Sequence, residues 1–373
     1  MKNLVVCLDG TWNDADRPTP LTNIGRIARL VEPKPEAAPA QRVYYDTGVG
    51  TAGGIDRFTG GLLGIGLSEN VLQAYRFLAQ FYEDGDGIHV FGFSRGAFTA
   101  RSLCGFLSAS GLLRPQQCDR RTLAFAWNYY RTPPKERYPA DRVRLDHLTH
   151  SGARVRFLGV FDTVGALGIP RRWLNWIGRH RFAFHDTEVS SVVDHSCHAL
   201  GIDEKRIEFE PAIWDEPRHR GYRTVEQVWF PGVHSNIGGG YKDTGLSDLT
   251  LEWMLNRLRR YCPEVTMAED RLHPDPMGEL YESRSWLYGQ SRRTPLIRTI
   301  NRFDAIPPAG FRLPTIKPHS RPIGEALHWS AVARLSDETY RPPNLVAAYA
   351  EAERGRMLIV GANGEAAPVG AAP

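Results

Sequence analysis

The feature that most limits the fold of this 373-residue chain is a repeated alternation of short apolar runs with amphipathic segments. The apolar runs predict strands at Leu4–Leu8, Arg42–Asp46, Ile88–Phe91, Val155–Phe161 and Val225–Phe230. The segments between them predict helices at Asn23–Val31, from an N-cap at Ser68 to about Tyr82, and at Ala97–Leu107. Strands that alternate with helices predict an α/β fold, in which a mostly parallel sheet carries helices on both faces.

Composition excludes several classes of protein. The chain is 42% hydrophobic and 24% charged, which is typical of a soluble globular protein, and its net charge of +4 is too near balance to indicate nucleic-acid binding. No stretch approaches the length of a membrane span. The first nine residues are typical of a strand rather than a signal peptide, so we expect a cytoplasmic protein as synthesised, with signal-independent export if it is an effector.

The five cysteines are scattered and form no C-x-x-C pair. They therefore predict neither a disulfide framework nor a zinc site. His195 and His198 form an H-x-x-H pair on a pattern typical of a helix, but no further ligand accompanies them, so we expect core or surface residues. We expect no metal and no organic cofactor.

The pentapeptide Gly92–Gly96, GFSRG, lies between a predicted strand and a predicted helix. In that position G-x-S-x-G is a nucleophile elbow, a sharp turn that points the serine hydroxyl outward at the end of a strand. Glycines on both sides let neighbouring backbone pass closely, and the helix N-terminus offers N–H groups to a developing negative charge. The motif predicts Ser94 as a nucleophile.

Two more polar residues follow predicted strands. Asp162 comes directly after the strand that ends at Phe161, and His234 follows the strand that ends at Phe230. The chain order Ser, Asp, His is that of α/β-hydrolase triads. Serine needs an imidazole to take its proton, and the imidazole needs a carboxylate to fix its tautomer.

Other assignments of the acid stay open at this point. Asp162 has the alternative role of a helix cap after a strand. The rival acids are Asp194, Asp203, Asp243 and Asp248.

An oxyanion hole is also predicted. One donor in such folds is the backbone N–H of the residue after the nucleophile, here Arg95. The second comes from the loop after an early strand, and the turn at Gly10 and Thr11 is the natural candidate. Each such donor contributes about 3–4 kcal/mol to lowering the barrier.

Four blocks of the sequence resemble the successive signature blocks of the catalytic domain of type VI secretion phospholipase effectors: Leu8–Asn13, Gly92–Ala97, Gly159–Gly165 and Gly232–Tyr241. The resemblance covers roughly the first two-thirds of the chain. It implies a lipolytic hydrolase of the α/β-hydrolase superfamily, with Ser94 as nucleophile, Asp162 as acid and His234 as base. Effectors of this family often carry a membrane-engaging region, and no segment here is long or apolar enough to be one, so an exported effector and a resident hydrolase both stay open.

The segment Ile169–Phe182 mixes Trp173 and Trp176 with basic residues. Amphipathic, Arg-rich segments that carry tryptophan are typical of membrane interfaces, so it is a candidate lid or lipid contact. A helix whose tryptophans pack on the core is the equal alternative. Gly48–Gly53 matches G-x-G-x-x-G, but the glycine-rich residues after it do not favour a helix, and we predict a substrate-side loop rather than a dinucleotide site.

The whole pattern predicts one α/β-hydrolase domain over residues 1–360, with cap-forming insertions at about 114–150, 165–220 and 262–325, and a flexible tail at 361–373. We expect a serine hydrolase of lipid carboxylic esters, with a soluble esterase of small esters and a non-catalytic scaffold as alternatives. The expected partners are a lipid or other ester substrate, with transient membrane contact and no nucleic acid. A secretion-system or immunity partner is expected only if the chain is an effector.

Overall fold

In the computed structural model, the described residues are 1–10, 20–31, 40–48, 61–164, 188–216, 223–282, 295–301, 310–311, 313 and 321–369. The strands are β1 (Lys2–Leu8), β2 (Ala40–Asp46), β3 (Gly87–Phe93), β4 (Val155–Phe161), β5 (Val193–Gly201), β6 (Thr224–Phe230), β7 (Glu325–His328), β8 (Leu358–Val360) and β9 (Ala366–Ala367). The helices are α1 (Asn23–Leu30), α2 (Gly61–Phe81), α3 (Arg95–Ser110), α4 (Arg120–Arg131), α5 (Pro139–Leu148), α6 (His234–Gly238), α7 (Gly245–Tyr261), α8 (Trp329–Arg334) and α9 (Pro343–Glu353). Short 3-10 helices lie at Pro115–Gln117, Pro134–Glu136 and Ile207–Phe209.

The strands form one nine-stranded sheet in the order β2-β1-β3-β4-β5-β6-β7-β8-β9. All neighbours are parallel except β8 and β9. The chain places β2 on one side of β1 and β3 on the other, so the direction of winding reverses there. Ligands bind beyond the carboxyl ends of the strands at such a reversal, and Asp9 follows β1 just as Ser94 follows β3.

Helices cover both faces of the sheet. On β1, Val5 and Cys7 face the side that carries α1 and α7, whereas Leu4 and Val6 face the side that carries α2 to α5. These side chains are fully buried, and each large aliphatic one contributes about 1.5–3 kcal/mol relative to an exposed side chain. The α/β class, the mostly parallel sheet and the helices on both faces are therefore confirmed.

One predicted boundary and one predicted element are wrong. Helix α2 begins at Gly61, so Ser68 lies within it rather than at its N-cap; the glycines before Ser68, each unfavourable in a helix by about 1 kcal/mol, hid the first two turns. His195 and His198 lie on β5, not on a helix. The strand is polar enough to escape notice, yet β4 and β6 flank it on both sides.

Strands of the sheet lie in two of the segments that the sequence sets apart from the core of the domain. The expected insertion at 165–220 contains β5, which is a central strand of the sheet. Within the segment predicted as a tail, Ala366–Ala367 pairs antiparallel with β8. Within the described ranges, no helix is both long and apolar enough to cross a bilayer.

Candidate active site

Ser94 occupies a strained turn between β3 and α3. Its backbone has φ 57° and ψ −118°, a conformation that L-residues adopt only when the surroundings impose it. The flanking glycines, Gly92 and Gly96, make this conformation possible because neither has a Cβ that would meet the neighbouring backbone. A Cβ on Gly92 would lie 2.5 Å from the carbonyl oxygen of Gly96, and one on Gly96 would lie 2.0 Å from that of Leu8. The N-terminus of α3 is thereby packed directly against the end of β1.

His234 is the first residue of α6, which follows β6 after a turn at Gly232 with φ 126°. The side chain of Asn236 caps this short helix: its Oδ1 accepts the Val233 N–H at 3.2 Å, and its amide donates to the Glu279 carbonyl at 3.1 Å. The imidazole is therefore held on a fixed backbone at the carboxyl end of the sheet.

The structure brings three of the sequence-predicted residues into one chain of hydrogen bonds. Ser94 Oγ lies 2.8 Å from His234 Nε2, and His234 Nδ1 lies 2.6 Å from Asp162 Oδ2. The exposed fractions are 2% for Ser94, 1% for His234 and 0% for Asp162, so water does not screen these contacts. Because the carboxylate only accepts, His234 Nδ1 carries the proton and Nε2 is the acceptor for the serine hydroxyl.

Asp162 directly follows β4 and has a positive φ of 40°. Its N–H donates to the Ala199 carbonyl at 2.8 Å, and the Thr163 N–H donates to His198 Nε2 at 3.1 Å. Residues of β5 thus hold the turn on which the carboxylate is mounted. His198 itself is fully buried, and burial lowers its pKa to about 3, so the ring is neutral and can accept this bond.

The Asp162 carboxylate has a cationic partner that the sequence did not reveal. Arg298 donates to both of its oxygens, at 2.6 and 2.9 Å, and the Gly201 N–H donates to Oδ1 at 3.0 Å. Burial alone would raise the pKa of Asp162, but Arg298 and the bond from His234 outweigh it and hold the pKa well below its ordinary value. The carboxylate is therefore ionised. The only sequence signal for Arg298 is an arginine within the apolar run Pro295–Ile300.

The environment of His234 keeps its imidazole neutral. Rings of Phe93 and Phe209 lie on it, each with its centroid 4.7 Å away. Burial lowers the pKa of His234 below 6.5, although Asp162 acts in the opposite direction. An imidazole that is unprotonated at neutral pH is able to act as a base.

The four rival acids are engaged elsewhere, and none of them contacts His234. Asp194 pairs with Arg154 at 2.8 Å, Asp203 accepts the Gly232 N–H at 2.7 Å and the Tyr340 hydroxyl at 2.8 Å, Asp243 accepts the Gly245 N–H at 3.0 Å, and Asp248 pairs with Arg26. Of the five candidate acids, Asp162 is the one whose carboxylate contacts His234.

Of the residues predicted to donate to an oxyanion, Arg95 and Gly10 lie beside Ser94. Arg95 is the first residue of α3, where backbone N–H groups point out of the helix terminus. A Cβ on Gly10 would lie 3.4 Å from Ser94 Cβ, so Gly10 adjoins the turn at Ser94. However, the Gly10 N–H already donates to Asp9 Oδ1 at 2.7 Å. Thr11 lies outside the described residues.

Some of the remaining predicted features lie within the described residues, and others lie outside them. Trp173, Trp176 and most of the loop Gly48–Gly53 lie outside the described residues. His195 Nδ1 bonds the Thr224 hydroxyl at 2.8 Å, and its ring stacks on Tyr261 at 4.3 Å, which gives it a structural role. Over the described ranges, no cluster of three or more His, Cys, Asp or Glu side chains has metal-binding geometry.

Residues 2–257 match the family model described as T6SS, Phospholipase effector Tle1-like, catalytic domain. The uncharacterized protein YEL023C of Saccharomyces cerevisiae is 30% identical over 230 residues, which cover 56% of this chain and 32% of the yeast protein.

Two solved structures are also similar. One shows the Tle1 effector bound to the VgrG spike of the type 6 secretion system; it is 22% identical with a TM-score of 0.39, and the match covers 65% of this chain and 52% of that one. The other is an uncharacterized protein from Pseudomonas aeruginosa, 19% identical with a TM-score of 0.41, where the match covers 74% of this chain and 47% of that one. The matched part is thus about a third to a half of each relative.

The family match covers three of the four side chains that form the site. Ser94, Asp162 and His234 lie within it, whereas Arg298 lies beyond its end at residue 257. Because the family model covers well over half of the sequence, this chain belongs to the Tle1-like family of type VI secretion phospholipase-effector catalytic domains.

Proposed function

We propose that this chain is a serine hydrolase that cleaves carboxylic esters of lipids, with phospholipids as the substrate class. The observation that carries the proposal is the buried chain of bonds from Ser94 Oγ through His234 to Asp162, at 2.8 and 2.6 Å. Membership in a phospholipase-effector family supports lipids as the substrate. A soluble esterase of small esters is the alternative within the same chemistry.

The proposed reaction follows the serine-hydrolase scheme. Neutral His234 takes the Ser94 proton at Nε2 while Oγ attacks the ester carbonyl, and Asp162 stabilises the imidazolium that forms. His234 then returns the proton to the leaving alcohol, and an acyl-serine remains. His234 then deprotonates a water molecule that attacks the acyl group, and it returns this proton to Ser94 Oγ as the bond to the acyl carbon breaks and the carboxylic acid leaves.

The tetrahedral oxyanion would accept hydrogen bonds from backbone donors beside Ser94. The Arg95 N–H at the start of α3 is the first, and the helix dipole there adds to its effect. The second donor from the turn at Gly10 and Thr11 stays a prediction. If the Gly10 N–H serves, it must first leave the Asp9 carboxylate.

Labelling by a fluorophosphonate probe tests the nucleophile. We expect stoichiometric labelling of the wild type, loss of labelling in Ser94→Ala, and unchanged labelling in the matched control Ser108→Ala, an exposed serine on the same helix. A wild type that is folded but not labelled would leave the non-catalytic scaffold as the better interpretation.

Acyl-chain profiling tests the substrate class. Rates on p-nitrophenyl esters of increasing chain length, and on phosphatidyl lipids in vesicles, distinguish a phospholipase from an esterase of small esters. We expect kcat/KM to rise with chain length and phospholipid cleavage to disappear in Ser94→Ala. Activity confined to short, soluble esters would support the small-ester esterase instead.

Membrane contact through Trp173 and Trp176 is a separate proposal based on sequence. It is tested by liposome co-sedimentation of the wild type against the double variant Trp173→Ala/Trp176→Ala. Tyr138→Ala is the matched control, since Tyr138 is an aromatic side chain that is 73% exposed. Equal binding by the wild type and the double variant would remove this lid from the proposal.

Export through a type VI secretion system, with the secretion and immunity partners that it requires, is proposed from family membership alone. A tagged chain should reach the medium from cells with an intact secretion apparatus and not from cells that lack its sheath. Retention of the chain in both strains would favour a resident hydrolase.

A further inference from the structure

We propose that Arg298 is a positioning residue of the Ser94 site, whose guanidinium orients the Asp162 carboxylate and sets the pH below which His234 ceases to act as a base. This inference rests on the proposed function, because it concerns the same reaction. Arg298 lies outside residues 2–257, so the family match assigns it no role.

The geometry of Arg298 is that of a clamp. Its Nη1 donates to Asp162 Oδ1 and to the Gly201 carbonyl, both at 2.6 Å. Its Nη2 donates to Asp162 Oδ2 at 2.9 Å and to the Phe209 carbonyl at 2.6 Å. Two nitrogens thus fix both carboxylate oxygens relative to the end of β5 and to the 3-10 helix Ile207–Phe209. A lysine ammonium cannot reproduce this planar fork.

The backbone that carries Arg298 is itself fixed. The Leu296 N–H donates to the Lys205 carbonyl at 2.9 Å, and the Asn301 N–H donates to Glu325 Oε1 at 3.1 Å. The side chains of Leu296, Ile297 and Ile300 are buried around it. A guanidinium on such a segment has no freedom to swing away, so the orientation of Asp162 is built into the fold.

The charge of Arg298 acts on the protons of the site. Both partners are fully buried, so their charges are unscreened by water. Together, Asp162 and Arg298 are electrically neutral, and protonation of His234 would add a second positive charge beside the guanidinium. Without Arg298, the coupled pair of Asp162 and His234 would bind a proton at higher pH.

Other charged groups around the pair act on His234 in opposite directions, because Arg206 lowers its pKa and Glu204 raises it. Glu204 accepts the His234 backbone N–H at 3.3 Å, but its charge is paired with Arg206 at 2.8 Å. On the opposite side, His198 is neutral, and Arg101 lies beyond it against the Ala212 carbonyl. Within the described part of the chain, Arg298 is the cation in direct contact with the Asp162 carboxylate.

The experiment compares the pH profiles of kcat/KM for the wild type, Arg298→Met and Arg298→Lys on a p-nitrophenyl ester. We expect the acidic limb of Arg298→Met to move up by about 1–3 pH units. Arg298→Lys keeps the charge, so its limb should stay near that of the wild type. Its kcat should fall by up to about 100-fold at an unchanged KM, because orientation is lost.

Arg257→Met is the matched control. Arg257 is a buried arginine that pairs with Glu226 at 3.0 Å near the start of β6, away from the carboxyl ends of the strands. It should lower stability without moving the acidic limb. An Arg298→Met limb that coincides with those of the wild type and Arg257→Met would overturn the proposal, whatever the loss in rate.

Two further measurements keep the inference separate from the proposed function. The low-field proton resonance of His234 Nδ1 reports its titration without any substrate, and its midpoint should rise in Arg298→Met even if the wild type hydrolyses no ester. If Arg298→Met proves too unstable to assay, the double variant Asp162→Asn/Arg298→Met should unfold at a higher denaturant concentration than Arg298→Met. The double variant leaves no buried carboxylate unpaired. A double variant that is no more stable, or a resonance with an unchanged midpoint, would contradict the role of Arg298.

Discussion

The two halves of the candidate site are built in different ways. The serine half is local: Gly92, Ser94 and Gly96 lie within five residues, and steric contact with the end of β1 determines their conformation. The acid half is assembled from distant segments, since residues of β5 and Arg298 hold Asp162 and the turn on which it lies. The serine half is therefore constrained by sterics and the acid half by charge.

This difference explains which mutations should affect chemistry alone and which should also affect folding. Ser94 carries no charge and can be truncated without leaving an unpaired ion. Asp162 cannot, because its removal strands the buried Arg298. A buried ion pair broken on one side typically costs about 3–5 kcal/mol of stability.

The largest expected effect therefore comes from the pair of variants Ser94→Ala and Asp162→Asn. On the proposed function, Ser94→Ala should lower kcat by about 10⁶-fold with little change in stability. Asp162→Asn should lower kcat by about 10⁴-fold and also lower the free energy of unfolding, by about 3–5 kcal/mol. Steady-state kinetics and urea denaturation measure both. Equal stability of the two variants would contradict the division of the site into a steric half and a charged half.

A variant of Gly96 tests the steric half. The new Cβ of Gly96→Ala would meet the Leu8 carbonyl oxygen at 2.0 Å. Helix α3 must then move away from β1, which should cost about 3 kcal/mol and displace Ser94. Gly105→Ala is the control on the same helix, where a Cβ meets only the side-chain end of Tyr130, at 3.2 Å. Denaturant midpoints of the two variants that differ by less than the error of measurement would contradict the steric account.

The same division governs how much could be predicted from the sequence. The strand before Ser94, its glycines and the histidine loop were predictable because each signal lies within a few neighbouring residues. Strand β5 was missed because Asp194, His195 and His198 make it polar, and their hydrogen-bond partners Arg154, Thr224 and Thr163 lie on β6 or at the two ends of β4. Arg298 was missed for a related reason: its partners are 97 and 136 residues away along the chain, so no local pattern records them.

A variant of His198 tests how β5 holds the acid half, because the neutral ring accepts the N–H of Thr163, the residue after Asp162. Burial lowers its pKa to about 3, whereas the unfolded chain takes up the proton near pH 6.5. Its stabilising contribution is therefore complete above pH 6.5 and is lost as the pH falls toward 3, at about 1.4 kcal/mol per pH unit. His198→Gln keeps a hydrogen-bond acceptor but takes up no proton. The free energy of unfolding of this variant should therefore fall less steeply with decreasing pH than that of the wild type, by about 1.4 kcal/mol per pH unit. Free energies of unfolding measured between pH 6 and pH 4 give the two slopes, and equal slopes would contradict a buried neutral His198.

The smallest effect is expected from a change at Tyr45, which contacts the serine half, through Asp9, from a distant part of the sequence. Asp9, directly after β1, accepts hydrogen bonds from the Thr22 hydroxyl at 2.6 Å and from the Tyr45 hydroxyl at 2.8 Å. Tyr45 is 37% exposed, so Tyr45→Phe should cost only about 1 kcal/mol of stability and should leave the rate of Ser94 labelling unchanged. A labelling rate that falls severalfold would show that the turn after β1 controls the nucleophile through Asp9. The serine half would then share the long-range character of the acid half.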